Sequence, residues 1–216
     1  MRSGGSAPGA RGVHTLPTMK TQGPRVVLVR HGETAWSRSG QHTGRTDVPL
    51  LEDGRKMAVM LAAPLRAWHF AQVWTSPLSR AFETCALAGY GDVARRSDDL
   101  MEWDYGDYEG RTRAEIQVEN PGWTLWKDGV PHGETAEQVG ARADRVIARA
   151  RTEPGDILIF SHGHFLRVLA SRWLRLPPTD GRLFLLSTGS ISVLSSDGDA
   201  AQPALAGWND TTHLEA

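Results

Sequence analysis

Short apolar runs alternate along the chain with longer segments in which apolar residues recur every three or four positions. The runs predict buried strands at RVVLV (25–29), AQVWT (71–75), DILIF (156–160) and ISVLSS (191–196). The longer segments, 52–68, 134–152 and 163–174, have the spacing of amphipathic helices. Pro64 is expected to kink or divide the first helix, and Thr135 is expected to open the second.

A further helix is predicted after the second strand, with Ser76 as its N-cap, Pro77 at its first position and Gly89 at its end. Strands that alternate with helices of this length predict an α/β fold with a mostly parallel sheet covered on both faces. Such sheets bind ligands beyond the carboxyl ends of their strands. Residues directly after the strands are therefore the candidates for chemistry.

Cationic side chains follow three of the predicted strands. Arg30 and His31 come directly after the first strand, and Arg80 lies one turn into the helix after the second. His162 follows the DILIF strand at the start of the next helix. A strand end beside a helix start presents free N–H groups and a partial positive charge, which suits a phosphate. Arginines add planar forks for phosphate oxygens, and imidazole can attack phosphorus, so the set predicts phosphoryl chemistry without a metal.

Each junction has a structural alternative when it is taken alone. The Arg30–His31 pair could be structural or solvated, and the SHGH turn could cap a helix. That turn could also supply half of a metal site through His162 and His164. A metal site needs further ligands, and the remaining histidines that could join one have no metal-binding spacing: His42, His69 and His132. The coincidence of three junctions is what favours a phosphate site.

Composition limits the other function classes. The chain has 216 residues and a formal net charge of -1, which argues against binding nucleic acid or an anionic membrane by bulk attraction. No apolar run approaches the ~20 residues that cross a bilayer. The one cysteine, Cys85, forms no intrachain disulfide, is expected to be a buried core thiol and permits a cytoplasmic location, which we predict. Residues 1–23 are expected to be a flexible leader, or an over-long start with the natural one at Met19, before a single domain over 24–216.

Four motifs in a fixed order carry a family resemblance: LVRHGET, TSPLSRAFET, LMEWDYGDYEG and SHGHFLR. Over residues 25 to 195 the chain resembles the histidine phosphatase superfamily, in the branch that contains the phosphoglycerate mutases. The resemblance implies a three-layer αβα sandwich and a phosphohistidine mechanism that uses no cofactor and no metal. Its substrate would be a small phosphorylated metabolite, and a homodimer is left open because dimers are common among relatives.

The resemblance also implies a role for individual residues. His31 is the expected nucleophile, Glu102 the general acid and base, and Arg30 and Arg80 the clamp on the phosphoryl group, which His162 completes. In this assignment the phosphate and substrate contacts are Arg30, His31, Ser37, Thr43, Gly44, Arg80, Glu102, His162 and Gly163. Without the resemblance, the residues alone do not distinguish Glu102 from the other acids around it.

The branch contains phosphatases and mutases, and three features favour a phosphatase here. The segment between Glu102 and His162 is short beside that of the mutases, which leaves less cover to exclude water. Ser37 replaces an asparagine of the mutase pattern, and His164 stands where that pattern has another asparagine. The loop SGQHTGRTDVPL is closer to bacterial acid phosphatases and to fungal sedoheptulose-bisphosphatases. Cofactor-dependent phosphoglycerate mutase is the alternative.

Substrate specificity is expected to depend on loops 34–49 and 102–133. Four residues there could shape an outer pocket or belong to a solvated loop: Arg38, His42, Arg45 and Trp103. Trp123 and Trp126 are separated by helical spacing, which favours packing over ligand stacking. The substrate itself is not named by the sequence.

Overall fold

The structure is a computed structural model and describes residues 23–197 and 202–215. The strands are β1 Val26–Arg30, β2 Gln72–Thr75, β3 Arg95–Arg96, β4 Ile157–Ser161, β5 Ile191–Asp197 and β6 Gln202–Asp210. The helices are α1 Ala35–Ser39, α2 Glu52–Met60, α3 Ala62–Leu65, α4 Ser79–Leu87, α5 Arg113–Glu119, α6 Leu125–Asp128, α7 Ala136–Ala150 and α8 Gly163–Trp173. Short 3-10 turns cover Asp98–Leu100, Gly106–Tyr108, Pro178–Leu183 and Thr212–Leu214.

The strands form one sheet in the order β3-β2-β4-β1-β5-β6. The pairings β1–β4, β2–β4 and β2–β3 are parallel, and β5 pairs antiparallel with both β1 and β6. The four predicted strands are confirmed within a residue or so at each end. Sequence analysis missed β3, which is only two residues long, and β6, whose sequence QPALAGWND contains a proline and a glycine and is half exposed.

Alternate residues of β1 point to opposite faces of the sheet. Val26 and Leu28 join a core with the inner faces of α7 and α8, whereas Val27 and Val29 join one with α3 and α4. Both faces of the sheet are therefore covered by helices. The predicted α/β fold, a three-layer αβα sandwich with a mostly parallel central sheet, is confirmed.

The segment around Pro64 and the helix after β2 differ in detail from a simple helical pattern. The predicted helix over 52–68 divides at Leu61, because Pro64 lacks an N–H and its ring crowds the carbonyl of Met60, the last residue of α2. The prediction that Ser76 caps the next helix was wrong. That helix begins at Ser79 with Leu78 as its N-cap, and the Ser76 hydroxyl serves another purpose described below.

Other predictions along the chain agree with the structure. Thr135 caps α7, in a capping box with Gln138. Cys85 is fully buried, and burial raises the pKa of its thiol to about 12, so it is a core residue. None of the helices that the structure describes is long and apolar enough to cross a membrane. The leader predicted over residues 1–23 lies, except for Gly23, outside the described residues.

Candidate active site

β4 pairs in parallel with β1 on one side and with β2 on the other, so the carboxyl ends of the three strands lie side by side. The backbone N–H of His31 donates to the Ser161 carbonyl at 3.0 Å, and that of Ser76 donates to the Phe160 carbonyl at 3.0 Å. These bonds extend the sheet pairing past the strand ends. The three sequence junctions are thus brought to one edge of the sheet, as parallel packing predicts.

His31 is held in one tautomer. Its side chain is 4% exposed, and Nδ1 lies 2.7 Å from the Gly32 carbonyl, which can only accept a hydrogen bond. The proton is therefore on Nδ1 and the lone pair on Nε2. Burial, together with the positive charges of Arg80 and Arg30, holds the pKa of His31 well below its ordinary value. The result is a neutral imidazole with a free nucleophilic nitrogen.

The loop behind His31 is fixed by contacts of its backbone. A Cβ on Gly32 would lie 2.2 Å from the Gly54 carbonyl oxygen in α2, so only glycine fits there. The Gly32 N–H donates to the Thr84 hydroxyl of α4 at 3.0 Å. Two helices therefore position the residue that orients the His31 ring.

Arg30 presents a donor that nothing in the described protein accepts. One of its terminal nitrogens donates to the Leu186 carbonyl, but Nε is buried and has no hydrogen-bond partner. The guanidinium lies against Gly163, where a Cβ would be 3.2 Å from both Cζ and Nε. A buried donor without a partner costs about 1–3 kcal/mol, so this N–H is suited to an oxygen of a bound anion.

Arg80 and His162 lie deeper, and both are fully buried. Arg80 Nε donates to His162 Nδ1 at 3.2 Å, and its terminal nitrogens donate to the carbonyls of Thr43, Gly44 and Thr46. His162 Nε2 then carries the proton and donates to the Ser76 hydroxyl at 2.7 Å. The ring centroids of His162 and His31 are 5.2 Å apart. The Ser76 contact was missed because the sequence pattern favoured a helix cap.

Glu102 is fixed by three backbone N–H groups. Oε1 accepts from Trp103 at 2.9 Å and from Phe165 at 2.8 Å, and Oε2 accepts from His164 at 3.0 Å. His164 and Phe165 belong to the first turn of α8, so the carboxylate lies at a helix N-terminus, where negative charge is stabilised. Glu102 is only 5% exposed.

The loop that carries Glu102 is supported by a partly buried ion pair that the sequence did not reveal. Arg142 of α7 donates to the carbonyls of Asp99, Met101 and Glu102. The same guanidinium forms a bidentate contact with Glu134, with both distances 2.7 Å. Because one guanidinium binds three backbone carbonyls, it fixes the path of the backbone up to Glu102.

These residues surround a cavity of about 180 Å³, which we call the inner cavity. Its lining consists of Arg30, His31, Ser37, Gly40, Gln41, His42, Thr43, Glu102, Tyr105, Gly163, His164, Arg167 and Leu186. Of the nine residues assigned to the site, all but Gly44, Arg80 and His162 belong to this lining. Arg80 and His162 lie behind His31. Gly44 is buried, its carbonyl accepts a hydrogen bond from Arg80, and its N–H donates one to the Glu109 carboxylate.

Of the four residues suggested for an outer pocket, only His42 lines the inner cavity. His42 lines the inner cavity, where burial lowers the pKa of its ring. Arg38 is instead exposed and paired with Glu33 and Asp53. Trp103 is fully buried and donates to the Glu134 carbonyl, while Arg45 lies near Asp104 and Glu134. Neither Trp103 nor Arg45 belongs to the lining of the cavity.

A larger cavity of about 670 Å³, the outer cleft, adjoins the inner one. Its lining consists of His42, Arg113, Trp123, Thr124, Leu125, Trp126, Lys127, His164, Arg167, Thr179, Asp180, Arg182 and Leu185. His42, His164 and Arg167 border both cavities. Trp123, which is 5% exposed, and Trp126, which is partly buried, both pack with the core, as expected, and both also line the cleft.

His164 and Arg167 complete the site, and the second was missed in the sequence. His164 Nδ1 lies 2.6 Å from the Tyr105 hydroxyl, and burial raises the pKa of Tyr105 well above its ordinary value. The Tyr105 hydroxyl therefore keeps its proton, and His164 Nδ1 is its one partner among the described residues, so Tyr105 donates there and the His164 proton is on Nε2. Arg167 stands one turn along α8 from Gly163, a spacing in SHGHFLR that could have indicated it. Among the described residues, no cluster of three or more His, Cys, Asp or Glu side chains could hold a metal ion.

Known proteins resemble this chain over most of its length. An acid phosphatase of Mycobacterium tuberculosis is 39% identical over 88% of this chain and 95% of its own. The sedoheptulose 1,7-bisphosphatase of Saccharomyces cerevisiae is 37% identical over 71% of this chain and 68% of its own. A solved structure of an open reading frame from M. tuberculosis has a TM-score of 0.79 at 37% identity, covering 87% of this chain and 98% of that one. Relatives named as phosphoglycerate mutases match at 30–32% identity.

The match to a family profile agrees with the geometry of the site. The profile described as "Histidine phosphatase superfamily (branch 1)" covers residues 26–211, from the first residue of β1 to just beyond β6. This range includes every residue assigned to the site. The chain belongs to the histidine phosphatase superfamily, branch 1.

Proposed function

We propose that this protein is a metal-independent phosphatase that hydrolyses phosphomonoesters of small metabolites, sugar phosphates among them, through a phosphohistidine on His31. One observation carries the proposal: an unprotonated His31 Nε2, the unpaired Arg30 Nε–H and the Glu102 carboxyl belong to one small cavity. The two relatives with the highest identities given above are both named phosphatases.

In the first step, His31 Nε2 attacks phosphorus and the bond between phosphorus and the ester oxygen breaks. Charge on the three equatorial oxygens is met by Arg30 and by the deeper pair of Arg80 and His162. For this contact, Arg80 Nε turns from His162 Nδ1 to a phosphoryl oxygen. His162 Nδ1, which holds a lone pair in the structure, takes the proton of a monoanionic phosphate and donates it back to the phosphoryl group as a hydrogen bond. Glu102 enters this step as the carboxylic acid, because the negative charge of the bound phosphate beside it favours protonation despite its three N–H donors. It gives its proton to the leaving oxygen, since an alkoxide is a poor leaving group. Oε2 is the oxygen available for that proton, because it accepts one N–H while Oε1 accepts two.

In the second step, the Glu102 carboxylate takes a proton from water, whose oxygen attacks the phosphorus of phospho-His31. The phosphorus–nitrogen bond breaks, and its electron pair returns to His31 Nε2. Inorganic phosphate is then released. Water reaches this intermediate through the outer cleft, which borders the inner cavity at His42, His164 and Arg167. Access by water favours hydrolysis over the phosphoryl return that a mutase requires.

Phosphate release from a panel of sugar phosphates, phosphoglycerates and nucleotides tests the proposal. We expect release to be unaffected by EDTA, since the nucleophile is a side chain rather than a metal-bound water. A parallel incubation with 3-phosphoglycerate and 2,3-bisphosphoglycerate measures isomerisation. Isomerisation faster than phosphate release would establish a mutase instead, and strong inhibition by EDTA would contradict the metal-independent mechanism.

The same proposal includes a cytoplasmic location. A single, buried cysteine is compatible with the reducing cytosol, where small phosphorylated metabolites are found. Fractionation of cells that express the full chain, followed by detection of the protein, tests this location.

A further inference from the structure

The outer cleft carries an excess of positive charge. Four cations belong to its lining, Arg113, Lys127, Arg167 and Arg182, against a single carboxylate, Asp180. Asp180 is already paired with Arg182, at 3.2 Å between Nη2 and Oδ1. The cleft therefore has no carboxylate left among its lining residues to balance the other three cations.

Arg167 is the cation at the boundary of the two cavities. It is partly buried, and among the described residues it makes no ion pair. Its Nε donates to the Gly181 carbonyl at 3.0 Å and its Nη2 to the Arg182 carbonyl at 3.4 Å. A partly buried guanidinium held only by neutral carbonyls keeps its full charge for a ligand, and its planar fork matches a carboxylate or a phosphate.

The surroundings fix this guanidinium in place. Its Cζ lies 4.7 Å from the centre of the Trp126 ring. A Cβ on Gly181 would approach Trp126 to 2.7 Å, so the glycine is what lets the ring occupy this position. Trp126 in turn contacts His164 edge-to-face, with 5.3 Å between ring centroids. Trp126 thus holds Arg167 and His164 on the same side of the cleft, where both can donate hydrogen bonds to a ligand.

We propose that the outer cleft, with Arg167 at its inner end, binds a second anionic group of the substrate while the reacting phosphate lies against His31. The inference rests on the proposed phosphatase function and specifies its substrate class. The preferred substrates carry a phosphomonoester and, further along a short carbon chain, another phosphate or a carboxylate. Sugar bisphosphates and phosphorylated sugar acids belong to this class, whereas sugar monophosphates without a second charge do not.

The experiment compares kcat/KM for fructose 1,6-bisphosphate, 6-phosphogluconate and glucose 6-phosphate, with p-nitrophenyl phosphate as a generic substrate. We expect the full chain to prefer at least one doubly anionic substrate over glucose 6-phosphate by tenfold or more. A bisphosphate has two phosphate groups that can be hydrolysed, which by itself would raise kcat/KM only twofold. A tenfold preference therefore exceeds this statistical factor. A preference for the bisphosphate alone identifies the second group as phosphate, and a preference for the sugar acid identifies it as a carboxylate.

Arg167→Gln should lower this preference at least tenfold, mainly through a higher KM for the doubly anionic substrate. Arg172→Gln is the matched control, because Arg172 lies on the same helix but pairs with Asp144 away from the cleft. It should leave the preference unchanged. Gly181→Ala, which displaces Trp126, should lower the preference without removing a charge.

Two kinds of failure are distinguishable. If the protein hydrolyses p-nitrophenyl phosphate but shows no preference, or if Arg167→Gln retains the preference, the second anion site is wrong and the phosphatase function stands. If the protein releases no phosphate from any substrate, the phosphatase function itself fails. Loss of the preference in Arg172→Gln as well would overturn the assignment to Arg167.

Discussion

The inner cavity and the outer cleft are built in different ways. The inner cavity uses residues at the ends of β1 and β4 and in the first turn of α8, held by short hydrogen bonds to backbone groups. The outer cleft uses the short helices α5 and α6, one face of α8 and the turn Pro178–Leu183, with exposed cations such as Lys127 and Arg182. Groups needed for bond breaking are thus buried and held by backbone hydrogen bonds beside the sheet, and recognition of the remaining substrate is left to more exposed elements. Single substitutions in and behind the inner cavity test whether its residues carry the bond-breaking steps.

The largest effect is expected for His31→Ala. Removal of the nucleophile should reduce turnover at least about 10⁴-fold, because His31 forms the covalent intermediate. Turnover is measured with an aryl phosphate, and a labelled phosphoprotein is sought after rapid quenching in alkali, where phosphohistidine survives. Wild-type protein should give the labelled species and the variant none. Full activity in a folded variant would end the phosphohistidine assignment.

Arg80→Ala should reduce kcat/KM by about 10²–10³ through lost stabilisation of transition-state charge. It should also move the acid limb of the pH profile. The positive charge of Arg80 helps to lower the pKa of His31, so its removal raises that pKa towards the ordinary value and protonates the nucleophile at higher pH. Wild-type activity should accordingly persist well below pH 6.5, which is about the ordinary pKa of histidine, and fall sooner in the variant.

Arg25→Ala is the control for Arg80→Ala. Arg25 is a partly exposed arginine that pairs with Asp156 at the opposite end of the sheet. Its removal should leave both the rate and the acid limb unchanged. An unshifted acid limb in Arg80→Ala would mean that another group titrates there.

Glu102→Gln should slow alkyl phosphates by about 10²–10⁴ and aryl phosphates much less, because aryl leaving groups need less protonation. The ratio of kcat/KM for the two substrate types is the measurement. Glu102 is the one carboxylate in the described lining of the inner cavity. Asp104, one of the acids near Glu102 in the sequence, is partly exposed and lies outside that lining. Equal losses on both substrate types would nevertheless move the acid role away from Glu102.

Sequence analysis predicted the parts of the molecule that strand ends determine. Apolar runs located four of the six strands that the structure describes, and the polar residues after them located Arg30, His31, Arg80 and His162. It did not find Arg142 or Arg167, because each binds backbone carbonyls more than a dozen residues away that only the folded chain brings close. Ser76 was identified as a helix cap for a related reason. A serine before a proline has the pattern of a cap, and its contact with His162 is formed across the sheet.

The smallest effect is expected for Ser76→Ala. The Ser76 hydroxyl accepts the Nε2 proton of His162, so its loss leaves a buried N–H without a partner and should cost about 1–3 kcal/mol in the free energy of unfolding. It should lower kcat by less than about tenfold with little change in KM, because His162 loses the acceptor that holds its tautomer while the clamp of arginines remains. Ser171→Ala is the matched control, since Ser171 is equally buried and donates to the Pro177 carbonyl far along α8. Both variants should lose stability in denaturant titrations, but only Ser76→Ala should lose kcat. Parallel losses of kcat in the two would assign the effect to general destabilisation and leave His162 without a positioning partner.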